Sequence, residues 1–141
     1  MSEITHSIDG FTYRAQIRGD VAHVALGGEL DFDASRIVES AFAELVAEDA
    51  RMVVLDLADL SFIDSTGLAV LVRAKRHVES RSSRLFIRRH SSASQRLIDL
   101  AGLTTWLAPV DALGVELVPC PVCDHDISPL TQTCEHCGSA L

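Results

Sequence analysis

The sequence predicts an α/β fold, in which a mixed β-sheet begins with an N-terminal hairpin and packs against α-helices, followed by a small cysteine-rich tail. Three observations predict it. Apolar and polar residues alternate strictly over residues 11–18, short apolar runs and helical patterns then follow one another, and all four cysteines lie within residues 120–141. The 141 residues suffice for one domain of about 110 residues and an appendage.

The hairpin is predicted from residues 11–26. Alternation with one polar face is typical of a half-buried strand, and Gly19-Asp20 supplies a two-residue turn before the apolar residues 21–26. Apolar residues with helical spacing between residues 37 and 46 then indicate a helix, and we expect Asp33 to be its N-cap.

The rest of the sheet is predicted to be parallel, because residues 52–57 and 85–87 are apolar without alternation. A helix that is buried at its start is expected from Ser65 to about residue 79. Another is expected to begin at a capping box formed by Ser92 and Gln95 and to close at Gly102. Residues 106–119 are interpreted as a weak final strand, over residues 115–118, and a linker. This order implies right-handed crossovers on one sheet.

Composition and charge limit the classes of protein. The chain is 48% hydrophobic, which argues against disorder, and its net charge is −8. Residues 73–96 nevertheless hold eight Lys or Arg, and this basic belt is either a solvated face or a surface for a partner or phosphate. No apolar run approaches the roughly 18 residues that span a bilayer, and the N-terminus lacks a signal-peptide pattern. We therefore expect a cytoplasmic protein without membrane contact.

The turn Asp64-Ser65-Thr66-Gly67 lies where a buried strand is expected to enter a buried helix. A phosphate on Ser65 would face free backbone amides and the positive end of the helix dipole. Asp64 could orient the metal of the phosphoryl donor or accept the hydroxyl proton, and Gly67 would allow the close approach of a partner's backbone. From the spacing alone, an ordinary serine N-cap is the simpler interpretation.

Four segments carry a resemblance to a known family. They are Gly28-Glu29-Leu30-Asp31, Val53-Val54-Leu55-Asp56-Leu57, Phe62-Ile63-Asp64-Ser65-Thr66-Gly67-Leu68 and Leu97-Ile98-Asp99-Leu100-Ala101-Gly102-Leu103. Through these segments, residues 8–107 resemble the STAS domain of bacterial anti-sigma factor antagonists, which implies a STAS-type fold. We expect a STAS domain over residues 1–112, a linker over residues 113–119 and the tail over residues 120–141.

The resemblance implies a phosphorylation switch. Ser65 would be the phosphoacceptor, with Thr66 as the alternative, and the kinase would be the partner anti-sigma factor, a Ser/Thr kinase. The unphosphorylated protein would bind that kinase and release a sigma factor. Phosphorylation would break the complex by charge repulsion and desolvation, and a Ser/Thr phosphatase would reset it. The implied partner interface is Asp31, Asp33, Asp64, Thr66 and Gly67.

No catalytic site is expected in this chain. It has neither a phosphate-binding P-loop nor a dinucleotide-binding glycine motif, and the complete Gly-x-Ser-x-Gly elbow of a hydrolase nucleophile is absent around Ser65. His23, His77 and His90 are isolated in sequence and are expected to be ordinary strand or surface residues. The protein is therefore interpreted as a substrate and switch rather than as an enzyme.

The tail contains two Cys-x-x-Cys knuckles separated by 10 residues. Cys120, Cys123, Cys134 and Cys137 are predicted to bind one structural zinc ion as in a zinc ribbon, and disulfides or a redox couple are the alternative. Asp124 replaces the glycine that often follows the first knuckle, so a looser turn is expected there.

The charge of the tail indicates what it contacts. Residues 97–141 contain no Lys or Arg, which argues against nucleic acid as a partner. His125 and His136 are expected to be bystanders beside the cysteines. A second functional hypothesis stays open, in which a non-phosphorylated scaffold or sensor recruits a partner, or responds to oxidation or zinc, through this tail.

Overall fold

The computed structural model describes residues 2–47, 50–110 and 115–140. Its main sheet has five strands in spatial order β1-β2-β3-β4-β5; β1 to β3 are antiparallel, and β3 to β5 are parallel. The predicted mixed α/β sheet is therefore confirmed. Among the described residues, no helix is long and apolar enough to cross a membrane. The elements are β1 Ser2–Ile8, β2 Phe11–Arg18, β3 Val21–Leu30, α1 Phe32–Ala47, β4 Met52–Ile63, α2 Ser65–Ser80, β5 Arg84–His90 and α3 Ser92–Leu100.

The antiparallel part of the sheet has one strand more than predicted. The expected hairpin of β2 and β3 is present, and β1 adds to it as an edge strand with Ile4 opposite Ala15. Ile4 packs partly against the core, while most of β1 is exposed. An edge strand with so little buried apolar surface gives a weak sequence signal.

Both crossover helices cover the same face of the sheet, and α1 packs against α2. The core lies between this helical layer and the sheet, and α3 contributes Ile98 to it. Phe11, Tyr13, Ala15 and Ile17 of β2 face the same core. The opposite face of the sheet therefore carries the polar residues of β2.

The residues that cap the N-termini of α1 and α3 differ from those predicted. The N-cap of α1 is Asp31 rather than Asp33, because the Ala34 amide donates to Asp31 Oδ1 at 3.0 Å and Asp33 lies in the first turn. Likewise, the capping box of α3 is formed one residue earlier than predicted, by Ser91 and Ser94. Two capping residues that lie within two positions of each other are not distinguished by spacing alone.

The third helix closes as predicted. The amide of Leu103 donates to the carbonyl of Ile98 at 3.0 Å, and Gly102 adopts a φ of 74°. This is the closure that the sequence Ala-Gly-Leu indicates.

The parallel strands continue further than the sequence predicts. β4 runs on to Ile63 through residues expected to form a loop, because Asp59 pairs with Gly27 and Ile63 with Leu30 across two register shifts. These shifts interrupt the side-chain alternation that would have indicated a strand. As a result, β3 and β4 end side by side, immediately before α1 and α2.

Gly28 makes the extension of β3 possible. Its φ is 86°, and a Cβ there would lie 1.9 Å from the carbonyl oxygen of Gly10. That carbonyl accepts a hydrogen bond of 2.7 Å from the Glu29 amide. The first turn of the sheet is thus fixed against the end of β3.

We expect Gly28→Ala to lower the free energy of unfolding by about 2–3 kcal/mol, because the new methyl group meets backbone in a left-handed conformation. Urea unfolding followed by circular dichroism measures this change. Gly19→Ala is the control, since Gly19 also has a positive φ, of 61°, but has open space around its Cβ position. Equal losses in the two variants would show that the contact with Gly10 contributes nothing.

The segment after α3 differs from the predicted final strand. Glu116 forms an isolated bridge with Val110, and Val118–Pro119 (β6) pairs with Asp126–Ile127 (β7) in the tail. Residues 111–114 lie outside the described residues, so the domain limits at residues 112 and 119 stay predictions.

Candidate functional site

The turn between β4 and α2 is organised by Asp64, which is the N-cap of α2. Its Oδ1 accepts hydrogen bonds from the Gly67 amide at 2.9 Å and from the Thr66 hydroxyl at 2.6 Å. Partial desolvation raises the pKa of this carboxyl, but these hydrogen bonds and those of nearby amides outweigh it, and the net pKa is lowered. A carboxylate held in this way is a weaker proton acceptor, so the structure supports capping rather than the expected role in accepting the hydroxyl proton.

Ser65 is the first residue of α2 and is exposed. Because Asp64 caps the helix, Ser65 is not the N-cap, and its hydroxyl has no hydrogen-bond partner among the described residues. Thr66 is also exposed, but its hydroxyl is held by Asp64. The two candidate acceptors are therefore not equivalent.

Gly67 is buried and faces its own chain. A Cβ at this position would lie 2.6 Å from the carbonyl oxygen of Leu30 and 3.0 Å from Cγ1 of Ile63. The close approach that Gly67 permits is thus that of α2 to the end of β3, rather than that of a partner's backbone. Its place in a partner interface stays a prediction.

The N-termini of α1 and α2 lie next to each other at the ends of β3 and β4. The amide of Asp64 donates to the carbonyl of Leu30, the residue before Asp31, at 3.4 Å. Asp31 is half-buried as a cap, whereas Asp33 is exposed. The acidic residues predicted for a partner interface therefore flank the Ser65 turn on the α1 side.

Two exposed aromatic side chains, which the sequence interpretation missed, border this turn. Phe32 at the start of α1 is 60% exposed, and Phe62 near the end of β4 is 47% exposed. Phe32 and Thr66 line one small groove between α1 and α2, of about 140 Å³. Large exposed apolar side chains beside a polar turn are typical of a protein-binding surface. Phe62 lies within a segment that carried the resemblance, but its exposure became evident only once the strand register was known.

The second candidate site is the four-cysteine cluster of the tail. The Sγ atoms of Cys120 and Cys137 are 3.8 Å apart, those of Cys123 and Cys134 are 3.6 Å apart, and all four lie within 4.8 Å of one another. Four sulfurs around zinc at about 2.3 Å form a tetrahedron with edges of about 3.8 Å. The four residues fit a metal ion, and none is joined in a disulfide.

The two knuckles have the same backbone geometry. The Asp124 amide donates to the Cys120 carbonyl at 2.9 Å, and the Gly138 amide donates to the Cys134 carbonyl at 2.8 Å. Asp124 has a φ of 62°, close to the 75° of Gly138. The looser first turn expected from Asp124 is thus corrected: aspartate is one of the few residues that accept this conformation, and the turn is equally tight.

Hydrogen bonds tune the thiols of the cluster. Bonds from the hydroxyl and the amide of Ser139 lower the pKa of the Cys137 thiol to about 6. At Cys123, a backbone bond from His125 is outweighed by burial and by the neighbouring thiols, which raise its pKa to about 12. A divalent metal bound by all four residues would displace the remaining thiol protons, and four thiolates are a ligand set suited to zinc.

The tail is attached to β5 by polar contacts. Arg88 Nη2 lies 3.2 Å from Glu135 Oε2, and Arg89 forms an ion pair with Asp56 and lies 3.5 Å from Nε2 of His125. The rings of His125 and His136 are stacked with their centroids 4.0 Å apart, outside the group of four sulfurs. The two histidines therefore lie where the tail contacts β5, and they are not part of the cysteine cluster.

Comparison with known proteins identifies the family to which most of the chain is similar. A sequence model of the STAS domain matches residues 12–113. The anti-sigma-F factor antagonist RsfB of Mycobacterium tuberculosis is 30% identical over 95 residues, which cover 67% of this chain and 77% of that protein. An anti-sigma-B factor antagonist of Staphylococcus epidermidis is 32% identical over 84 residues, or 60% of this chain and 78% of the relative.

A solved structure of another anti-sigma factor antagonist has a similar fold. The crystal structure of an anti-sigma factor antagonist from Mycobacterium paratuberculosis superposes with a TM-score of 0.62 and 25% identity, over 76% of this chain and 91% of that chain. The family match ends at residue 113, before the first cysteine of the tail.

Proposed function

The chain belongs to the STAS domain family, and from this premise we propose that it is an anti-sigma factor antagonist controlled by phosphorylation of Ser65. In its unphosphorylated form it binds an anti-sigma factor that is a Ser/Thr kinase, and a sigma factor is released. A Ser/Thr phosphatase returns it to that form. These partners act on transcription, and the protein works with them in the cytoplasm.

The observation that carries the proposal is the state of the Ser65 hydroxyl. It is exposed at the first position of α2 and unpartnered among the described residues, whereas the neighbouring Thr66 hydroxyl is held by Asp64. A kinase can therefore reach Ser65 Oγ without breaking a hydrogen bond. This difference favours Ser65 over Thr66 as the acceptor.

The phosphorylation step follows the usual chemistry of phosphoryl transfer. Ser65 Oγ attacks the γ-phosphorus of ATP, the bond from that phosphorus to the bridging oxygen breaks, and ADP leaves. The hydroxyl proton goes to a base of the kinase, because Asp64 is engaged in capping. The new group adds about −1.5 to −2 charges to the turn.

The surface around Ser65 explains why this charge controls binding. Phe32 and Phe62 supply apolar contact area, and Asp31, Asp33 and Asp64 place negative charge beside it. A phosphate buried here would meet like charges and lose its hydration. Thr66 and the neighbouring groove between α1 and α2 complete the proposed interface.

The tail contributes a structural metal site in this proposal. Cys120, Cys123, Cys134 and Cys137 hold one zinc ion, which links the two knuckles and stabilises the tail on β5. The tail is a structural addition to the switch, and no step of the switch passes through it.

Phosphosite mapping tests the proposed acceptor. We expect incubation with the cognate kinase and ATP to add one phosphate to the wild-type chain and to Thr66→Val, and none to Ser65→Ala. Mass spectrometry of the intact chain and of its peptides measures the mass and the position. Label on Thr66, or an unchanged phosphate content in Ser65→Ala, would contradict the assignment.

A further inference from the structure

The face of the sheet opposite the helices carries a concavity that the switch does not use. Its volume is about 340 Å³, and it lies over β2, β3 and β4 with Arg88 of β5 at its rim. In the strand register, Arg14 is opposite Ala25, and Ala25 is opposite Asp56. The small side chain of Ala25 therefore leaves a gap in the middle of this face, between longer neighbours.

Three of the nine residues that line this gap are arginines. Arg14, Arg18 and Arg88 line it together with Gln16 and His23. Among its described lining residues, Asp56 is the only acid, and its charge is paired with Arg89. A local excess of three guanidinium groups stands out in a chain with a net charge of −8.

These guanidinium groups are available to a ligand. Within the described part of the chain, neither Arg14 nor Arg18 forms an ion pair. Arg88 is paired with Glu135, but the two side chains are 43% and 79% exposed. Ion pairs at such exposure contribute little, so Arg88 is free to exchange this partner for a stronger one.

We propose that this concavity binds a small phosphomonoester. Guanidinium groups donate paired hydrogen bonds that match phosphate oxygens, and several of them can neutralise a dianion. The amide of Gln16 adds a further donor, while Ala25 and Val54 provide an apolar floor for the organic part of the ligand. The volume falls within the range of small-molecule sites.

This assignment is independent of the proposed switch. The Ser65 turn lies at the ends of β3 and β4, whereas the concavity lies on the sheet face. Two of its lining residues connect the concavity to the tail: Arg88 pairs with Glu135, and Asp56 pairs with Arg89, which lies 3.5 Å from Nε2 of His125. No step of the proposed switch passes through the tail. Failure of either proposal therefore leaves the other unaffected.

A titration with phenyl phosphate tests the site. We expect saturable shifts in the amide resonances of residues 14–18, 23–25 and 54–56 of the metal-loaded full chain, recorded by two-dimensional NMR at constant ionic strength. Arg14→Gln and Arg18→Gln should each weaken binding about tenfold, the size expected for loss of one charge-assisted contact. Arg96→Gln is the matched control, because Arg96 is exposed on α3 and its loss changes the net charge equally.

Two results would overturn the proposal. One is binding by general charge attraction. It would be seen as shifts that do not saturate, or as a loss of affinity in Arg96→Gln equal to that in Arg14→Gln and Arg18→Gln. The other is equal affinity for inorganic phosphate and phenyl phosphate, since the apolar floor should favour the ester. Unchanged spectra of the free variants establish that both arginine variants are folded, so that a loss of binding refers to the site.

Discussion

Ser65→Glu is expected to weaken binding to the anti-sigma kinase by about 100-fold or more. The substitution places a permanent negative charge on the exposed first residue of α2, next to Asp64 and in the turn that the exposed Phe32 and Phe62 border. Burying an unpaired charge in an interface costs about 3 kcal/mol or more, which corresponds to this loss of affinity. Calorimetric titration of the purified kinase in the presence of ADP measures it.

Two further variants separate charge from bulk. Ser65→Ala should bind as tightly as the wild type, because the hydroxyl has no partner in the described structure. Ser65→Gln has nearly the shape of Ser65→Glu without its charge, and it should lose at most about tenfold. If the glutamine and glutamate variants lost equal affinity, steric exclusion and not charge would control the complex.

The competing scaffold hypothesis predicts the opposite pattern. Binding to a partner would then survive Ser65→Glu and disappear when the metal is removed from the tail. The four cysteines are well placed for such a role, since Cys137 is exposed and Cys120 is buried. The same titrations, repeated with and without a chelator, therefore distinguish the two functions.

The position of Ser65 could be predicted from the sequence, but its environment could not. A buried strand followed by an apolar helix fixes the start of α2 to within a residue, and α2 begins at Ser65 as expected. Asp64 and Ser65 are both good N-caps, however, and only the hydrogen bonds of Asp64 identify it as the cap. The exposure of Phe62 depends on the register shifts in β4, which no local pattern indicates.

For the cysteine cluster too, the sequence predicts which residues form the site but not their surroundings. Two knuckles of fixed spacing restrict their thiols to one small volume, so Cys120, Cys123, Cys134 and Cys137 could be grouped from the sequence. The docking of the tail could not be predicted, since it rests on contacts between residues far apart in the chain, such as Arg88 and Glu135. Long-range pairs of exposed charges leave no periodic signal.

Apart from its four thiols, the tail has few contacts that stabilise its fold. Its buried cluster in the described residues consists of Cys120, Ile127 and Cys134, with Cys123 packed against them. Its sheet has only two residues in each strand, Val118–Pro119 and Asp126–Ile127. One buried aliphatic side chain contributes about 1.5–3 kcal/mol, far less than the entropy of ordering more than 20 residues.

Removal of the metal is therefore expected to unfold residues 118–140 and leave the STAS domain folded. A structural zinc ion contributes about 10–16 kcal/mol of binding energy in small zinc domains, and here it would be the main source of stability of the tail. Elemental analysis should find one zinc ion per chain, and a chelator should collapse the amide resonances of the tail while those of β2 to β5 persist. Cys123→Ser should reproduce this result without a chelator, whereas Ser139→Ala, which removes only a hydrogen bond to Cys137, should retain the metal. Tail resonances that stay unchanged after complete metal removal would show that packing against β5 suffices, and the metal would then have no structural role.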